Sequence, residues 1–176
     1  MIPWSQTLIS ANASSAAVTA NSATDLVPNW DYTFPANFFT IGTKIRIHAS
    51  GIMTISATPG TETFAVELGS SVVHATFGAI TLVASASAQK WWLDIDLECR
   101  AVGASTATTF VATALFLTAT ALLATQPFQV LPLTGAIAAG TGVDGTATQK
   151  MSLYGTFSVT GDSVTVEQYE VVLIQN

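Results

Sequence analysis

Three groups of side chains in this sequence have the chemistry for a functional site. The first is His48 or His74 with the single cysteine, Cys99, the one pairing that would supply a thiol nucleophile with a general base. Cys99 stands on the apolar parity of its segment, where a small buried thiol is the ordinary occupant, and alone it closes no internal disulfide. The second is Asp94, Asp96 and Glu98, at alternate positions, whose oxygens would suit calcium. A flat strand sets such side chains roughly 7 Å apart, whereas an EF-hand loop draws its ligands from a tight turn. An acidic strand face, solvated or paired with Lys44, Arg46 and Lys90, is therefore expected instead. The third is aromatic: Trp92, Trp30 and Tyr32, with Trp91, are candidates for a glycan platform or an interface anchor. Trp92 lies on the polar parity of its strand, and tryptophan is enriched at interfaces, which favours the anchor. No Gly-rich phosphate loop, zinc-ligand cluster or G-x-S-x-G elbow occurs. The expectation is a protein with no catalytic residues, no metal site and no cofactor, and not an enzyme.

The elements that would position these residues are strands. In KWWLDIDLECRA, Trp91, Leu93, Ile95, Leu97, Cys99 and Ala101 alternate with Trp92, Asp94, Asp96, Glu98 and Arg100, a period of two that a helix would scramble. TKIRIHAS repeats it with Ile45, Ile47 and Ala49 inward, and TFAVEL with Phe64, Val66 and Leu68. KMSLYGTFSV and SVTVEQYEVVLIQ flank the turn signal Thr160, Gly161 and Asp162 and read as a C-terminal hairpin. Further breaks fall at Thr58, Pro59 and Gly60, at Gly69 and Ser70, and across 135–145, a Gly/Ala/Thr-rich stretch read as the loop with least to pack. A short helical turn is expected near Pro35 to Phe39. Residues 1–24 read as an extended N-terminal arm or thin strand ahead of one domain covering 1–176. Strands spaced by turns, without amphipathic helices between them, point to an all-β sandwich or barrel.

Composition narrows the partners. Charged residues make up 9% of the chain against 49% hydrophobic, well below the roughly 25% charged of an ordinary globular protein, so much of the exterior is expected to be covered by other subunits. With five basic residues against eleven acidic and a net charge of −6, the chain has no basic stripe for phosphates, and no nucleic acid partner is expected. The uncharged run between Arg100 and Asp144 contains FVATALFLTATALLA, but its apolar part falls short of the roughly 20 residues that span a bilayer and is interrupted by threonines, so no membrane insertion is expected. The opening MIPWSQTLIS lacks the charged and apolar regions of a secretory signal and reads as mature protein made in a cytoplasm.

Residues 26–70, LVPNWDYTFPANFFTIGTKIRIHASGIMTISATPGTETFAVELGS, resemble a pattern in structural proteins of tailed bacteriophages, a "YTxPANFFxxGxxIRIxASG" element leading into jelly-roll strands. The likeness is carried by Tyr32, Pro35, Ala36, Asn37, Phe38, Phe39, Gly42, Ile45, Arg46, Ile47, Ala49, Ser50 and Gly51, and WWLDIDLECRAVG and VTVEQYEVVLIQN fit the same plan. It covers about half the chain. What it implies is a jelly-roll β-sandwich of the tumour-necrosis-factor or C1q type, a homotrimer in the virion that decorates the head as a cement or minor capsid protein and packs on the major capsid protein. The alternative it leaves open is a tail or fibre module that binds a glycan or cell-surface receptor.

Overall fold

In the computed structural model, described here for residues 4–19, 21–69, 71–74, 79–119, 123, 127–131 and 139–175, the alternating segments form thirteen strands. In chain order they are β1 (Trp4–Ser10), β2 (Thr24–Asp25), β3 (Tyr32–Phe34), β4 (Lys44–Thr54), β5 (Thr61–Leu68), β6 (Ser71–His74), β7 (Ile80–Thr81), β8 (Gln89–Ala101), β9 (Thr108–Thr118), β10 (Phe128–Leu131), β11 (Ala139–Val143), β12 (Gln149–Phe157) and β13 (Ser163–Gln175). They make two antiparallel sheets. The larger runs β1-β13-β4-β8-β9-β10, with β11 also on β9, and the smaller runs β2-β12-β5-β6, with β3 on β12 and β7 on β5.

The topology is that of a long hairpin rolled up. Counting β1, β2 with β3, β4, β5, β6, β8, β12 and β13 as eight successive strands, the first pairs with the eighth, the second with the seventh, the third with the sixth and the fourth with the fifth. That is the jelly-roll arrangement of a β-sandwich. Strands β9, β10 and β11 are an addition that widens the larger sheet beyond β8.

The core lies where the inward parities of both sheets meet. Ile45, Ile47 and Met53 of β4, Leu93, Ile95 and Leu97 of β8, and Phe110 and Phe116 of β9 face Phe64, Val66 and Leu68 of β5 and Met151, Leu153 and Phe157 of β12, all fully buried. Each such side chain contributes roughly 1.5–3 kcal/mol through burial. Phe34, Phe38, Phe39 and Phe110 contact one another in sequence, the last two pairs edge-to-face, with ring centroids 4.9, 5.5 and 5.0 Å apart, tying the β3–β4 connection to the larger sheet.

Three local expectations need correction. The last two runs are not a hairpin: β12 pairs with β5 in the small sheet and β13 with β4 in the large one, so residues 158–162 carry the chain from one sheet to the other. The buried Asp162 carboxylate fixes this corner by accepting the Ser56 and Gly60 amides at 2.8 and 3.2 Å, and Gly161 takes a φ of +103°. Near Pro35 there is a tight turn, not a helical one, because Asn37 sits at φ +60°. In the 135–145 stretch, 139–143 is strand β11 on the edge of β9, where the glycines give backbone free access to the ladder, while 135–138 lie outside the described residues. The N-terminal segment is laid along β13: β1 pairs with it, and Ala11, Ser15 and Val18 continue the contact through amides bonded to the Tyr169, Val166 and Val164 carbonyls.

Candidate functional site

The outward face of the larger sheet carries the candidate site, because three long strands in register place every second residue there. Across β4 and β8, Lys44 lies opposite Glu98, Arg46 opposite Asp96 and His48 opposite Asp94. The result is a ladder. Lys44 Nζ and Glu98 Oε2 are 3.5 Å apart, Arg100 Nη1 reaches Glu98 Oε1 at 3.2 Å, and Arg46 Nε donates to Asp96 Oδ1 at 2.9 Å. Hydrogen bonding to Asp96 raises the already high affinity of the Arg46 guanidinium for its proton. Asp94 holds two neighbours, His48 Nδ1 at 3.1 Å and the Trp92 indole N–H at 2.9 Å, and the His48 and Trp92 rings lie 3.9 Å apart. The three carboxylates are therefore engaged by side chains of this chain. The expected partner Lys90 is not among them; His48 takes its place.

Beyond β8 the same face changes character. Trp92 lies opposite Leu117 of β9, Leu117 opposite Phe128 of β10, and Leu115 opposite Val130. Trp92, Leu117, Phe128 and Val130 are 42, 38, 48 and 66% exposed, a contiguous apolar strip that ends at the β10 edge. Ala112, Ala114 and Phe116 point from β9 into the core, so period-two alternation makes Leu115 and Leu117 outward residues despite their chemistry.

A groove of about 630 Å³ opens where the ladder and the strip meet β13. At this level β13 has a bulge: Val166 pairs with Gly51 and Gln168 with Ser50, leaving Glu167 as the extra residue. A side-chain carbon at Gly51 would stand 1.9 Å from the Thr165 carbonyl oxygen, so this close approach requires glycine. The bulge turns the adjacent Glu167 and Gln168 both toward solvent, where they line the groove with Ser50, Lys90, Trp92 and Ser14.

The other sequence candidates lie elsewhere. Trp30 and Tyr32 are half-buried beside the smaller sheet, with Tyr32 edge-on to Phe34 at 4.8 Å, so they form no common site with Trp92 on the outward face of the larger sheet. Cys99 is inside, its Sγ 3.3 Å from the Ala101 carbonyl and its thiol pKa raised by burial, on the opposite face of the sheet from His48. His74 is in β6, on the smaller sheet. Among the described residues no three His, Cys, Asp or Glu side chains are grouped to hold a metal, and no helix is long and apolar enough to cross a membrane.

Two buried polar features escaped the sequence reading. Glu62 on β5 is fully buried, and neither carboxylate oxygen makes a well-formed hydrogen bond. Burial pushes its pKa well above the usual carboxylate range, with the nearby Asp162 adding in the same direction. The signal was present, since Glu62 continues the inward parity of Phe64, Val66 and Leu68 one step back. The second is Tyr169, whose buried hydroxyl makes no hydrogen bond. Burial, and then the negative fields of Asp31 and Asp25, push that hydroxyl far up in pKa. Lys150 Nζ binds Asp31 at 2.6 Å, and burial raises Asp25.

No protein-family model and no curated protein matches this chain. A solved structure of a GH43 glycoside hydrolase, engineered to display both endo-xylanase and exo-arabinofuranosidase activity, aligns with 85% of this chain at 8% identity and a TM-score of 0.26. This chain spans 36% of that one, and a likeness so slight bears on neither fold detail nor function.

Proposed function

We propose that this chain is a structural protein of a tailed-phage virion, a jelly roll that assembles as a homotrimer and cements the head by packing on neighbours such as the major capsid protein. It would be made in the host cytoplasm and reside in the particle. Its work is burial, not turnover. The observation that supports this reading is the apolar strip of Leu115, Leu117, Phe128 and Val130, which lies within the uncharged stretch between Arg100 and Asp144 and ends at a sheet edge. Exposed contiguous apolar surface rimmed by charge is the composition of a contact face.

The chain's accessible surface, 8170 Å², is close to the about 8,100 Å² expected for a compact monomer of its mass. Each square ångström of apolar surface covered contributes roughly 25 cal/mol, and an interface of standard size buries about 1,600 Å² in all. The test is co-sedimentation of the purified protein with head shells that lack it. Wild-type chain is expected to pellet with the shells and the double variant Phe128→Glu/Val130→Glu to stay in the supernatant. Failure of the wild-type chain to bind the shells, or equal binding by the variant, would overturn the reading.

A further inference from the structure

The groove over the β13 bulge adjoins the apolar strip at Trp92 and Leu117 and carries polar groups that the strip lacks. Of the five basic residues, Lys44, Arg46, Arg100 and Lys150 each make an ion pair; Lys90 makes none among the described residues, and it lines the groove. Glu167, on the opposite side, is likewise unpaired. Gln168 Oε1 accepts the Ser50 hydroxyl at 3.0 Å, which leaves the amide N–H groups to donate elsewhere. Trp92 is held by its indole N–H on Asp94 and by the His48 ring, so it offers a fixed apolar surface and no donor.

From this set we propose that the groove is a binding site for a neutral saccharide. A sugar ring presents an apolar C–H face and a rim of hydroxyls, each of which both donates and accepts. The C–H face packs on Trp92, one hydroxyl donates to the Glu167 carboxylate, and others accept from the Lys90 ammonium and the Gln168 amide. Hydrogen bonds to charged groups are the strong ones, which lets a shallow, open groove select its ligand. A phosphate or other anion would meet Glu167, and a purely apolar ligand would bury Lys90 and Glu167 without partners, so the mixed lining points to a neutral polyol.

The test is a titration of the full chain with neutral tetrasaccharides of glucose, xylose, galactose and N-acetylglucosamine, followed by tryptophan fluorescence, alongside an array of neutral, sialylated and sulfated glycans. Saturable binding of at least one neutral saccharide is expected. Trp92→Ala should weaken it about tenfold or more, while Trp92→Phe, which keeps an aromatic face, should retain most of it. Glu167→Gln and Lys90→Ala, both at exposed positions away from the core, should each weaken it several-fold, and Phe128→Glu/Val130→Glu should leave it unchanged. Binding to no neutral saccharide, binding restricted to anionic glycans, or affinity that survives both Glu167→Gln and Lys90→Ala would overturn the proposal. None of these results depends on whether the chain associates with head shells.

Discussion

The outward face of the larger sheet is built in two halves from one repeating rule. On β4 and β8 the outward residues include Lys44, Arg46, His48, Asp94, Asp96 and Glu98, and the register sets these side by side, Lys44 with Glu98, Arg46 with Asp96 and His48 with Asp94, so each of the six finds its partner within the chain. On β9 and β10 they include Leu115, Leu117, Phe128 and Val130, of which Leu117, Phe128 and Val130 are exposed and Leu115 half-buried. Both halves rest on the same buried layer. What differs is the complement: the ladder is satisfied by its own strands, and the strip has none among the described residues. The longest charge-free stretch of the chain, 101–143, holds the added strands β9 to β11.

That contrast can be broken most forcefully at the strip. In Phe128→Glu/Val130→Glu, covering the strip would bury two unpaired carboxylates per copy, and self-association is expected to weaken by about 100-fold or more while folding changes by less than about 1 kcal/mol, read by sedimentation velocity and urea unfolding. A loss of fold instead of a loss of association would show the strip to be core.

A second test sets the partnered ladder carboxylates against Glu62, which has no such partner. Because its folded pKa is raised, the native state holds a proton that the unfolded chain has released once pH passes the ordinary glutamate value, about 4.3. Stability from this group is therefore full below that pH and falls as pH climbs toward the raised folded value. Glu62→Gln should abolish this slope and raise stability at pH 8 by about 1–3 kcal/mol, with little change at pH 4. An unchanged difference between urea midpoints at the two pH values would count against a buried, protonated Glu62.

The smallest effect belongs to the ladder. Arg46→Ala should cost only about 0.2–1 kcal/mol, declining further in 1 M salt, because Arg46 and Asp96 are both more than half exposed. It should leave self-association intact, and a large loss of association would place the interface on the wrong half.

Much of this architecture can be read from the chain itself. The alternation in KWWLDIDLECRA and TKIRIHAS assigns each residue to a face and points to an all-β sandwich or barrel, and the jelly-roll sandwich that the resemblance implies is the fold found. Alternation says nothing, however, about which strand lies beside which. The run at 149–157 and the run at 163–175 would look the same as a hairpin or as strands in two sheets, and only the Asp162 contacts across more than a hundred residues decide it. Trp92 was legible as an outward aromatic, but its grouping with Lys90, Glu167 and Gln168 depends on a register and a bulge that no local pattern encodes. Lys90 shows the same limit, since its parity suits the acidic row and its place at the end of β8 puts it in the groove instead.

Self-association is the central claim, and the solution mass of the wild-type chain, taken by light scattering across a wide concentration range, tests it most directly. A stable mass near three times 18.3 kDa is expected, falling to one chain mass in Phe128→Glu/Val130→Glu. A wild-type chain that stays at 18.3 kDa at every concentration would contradict it.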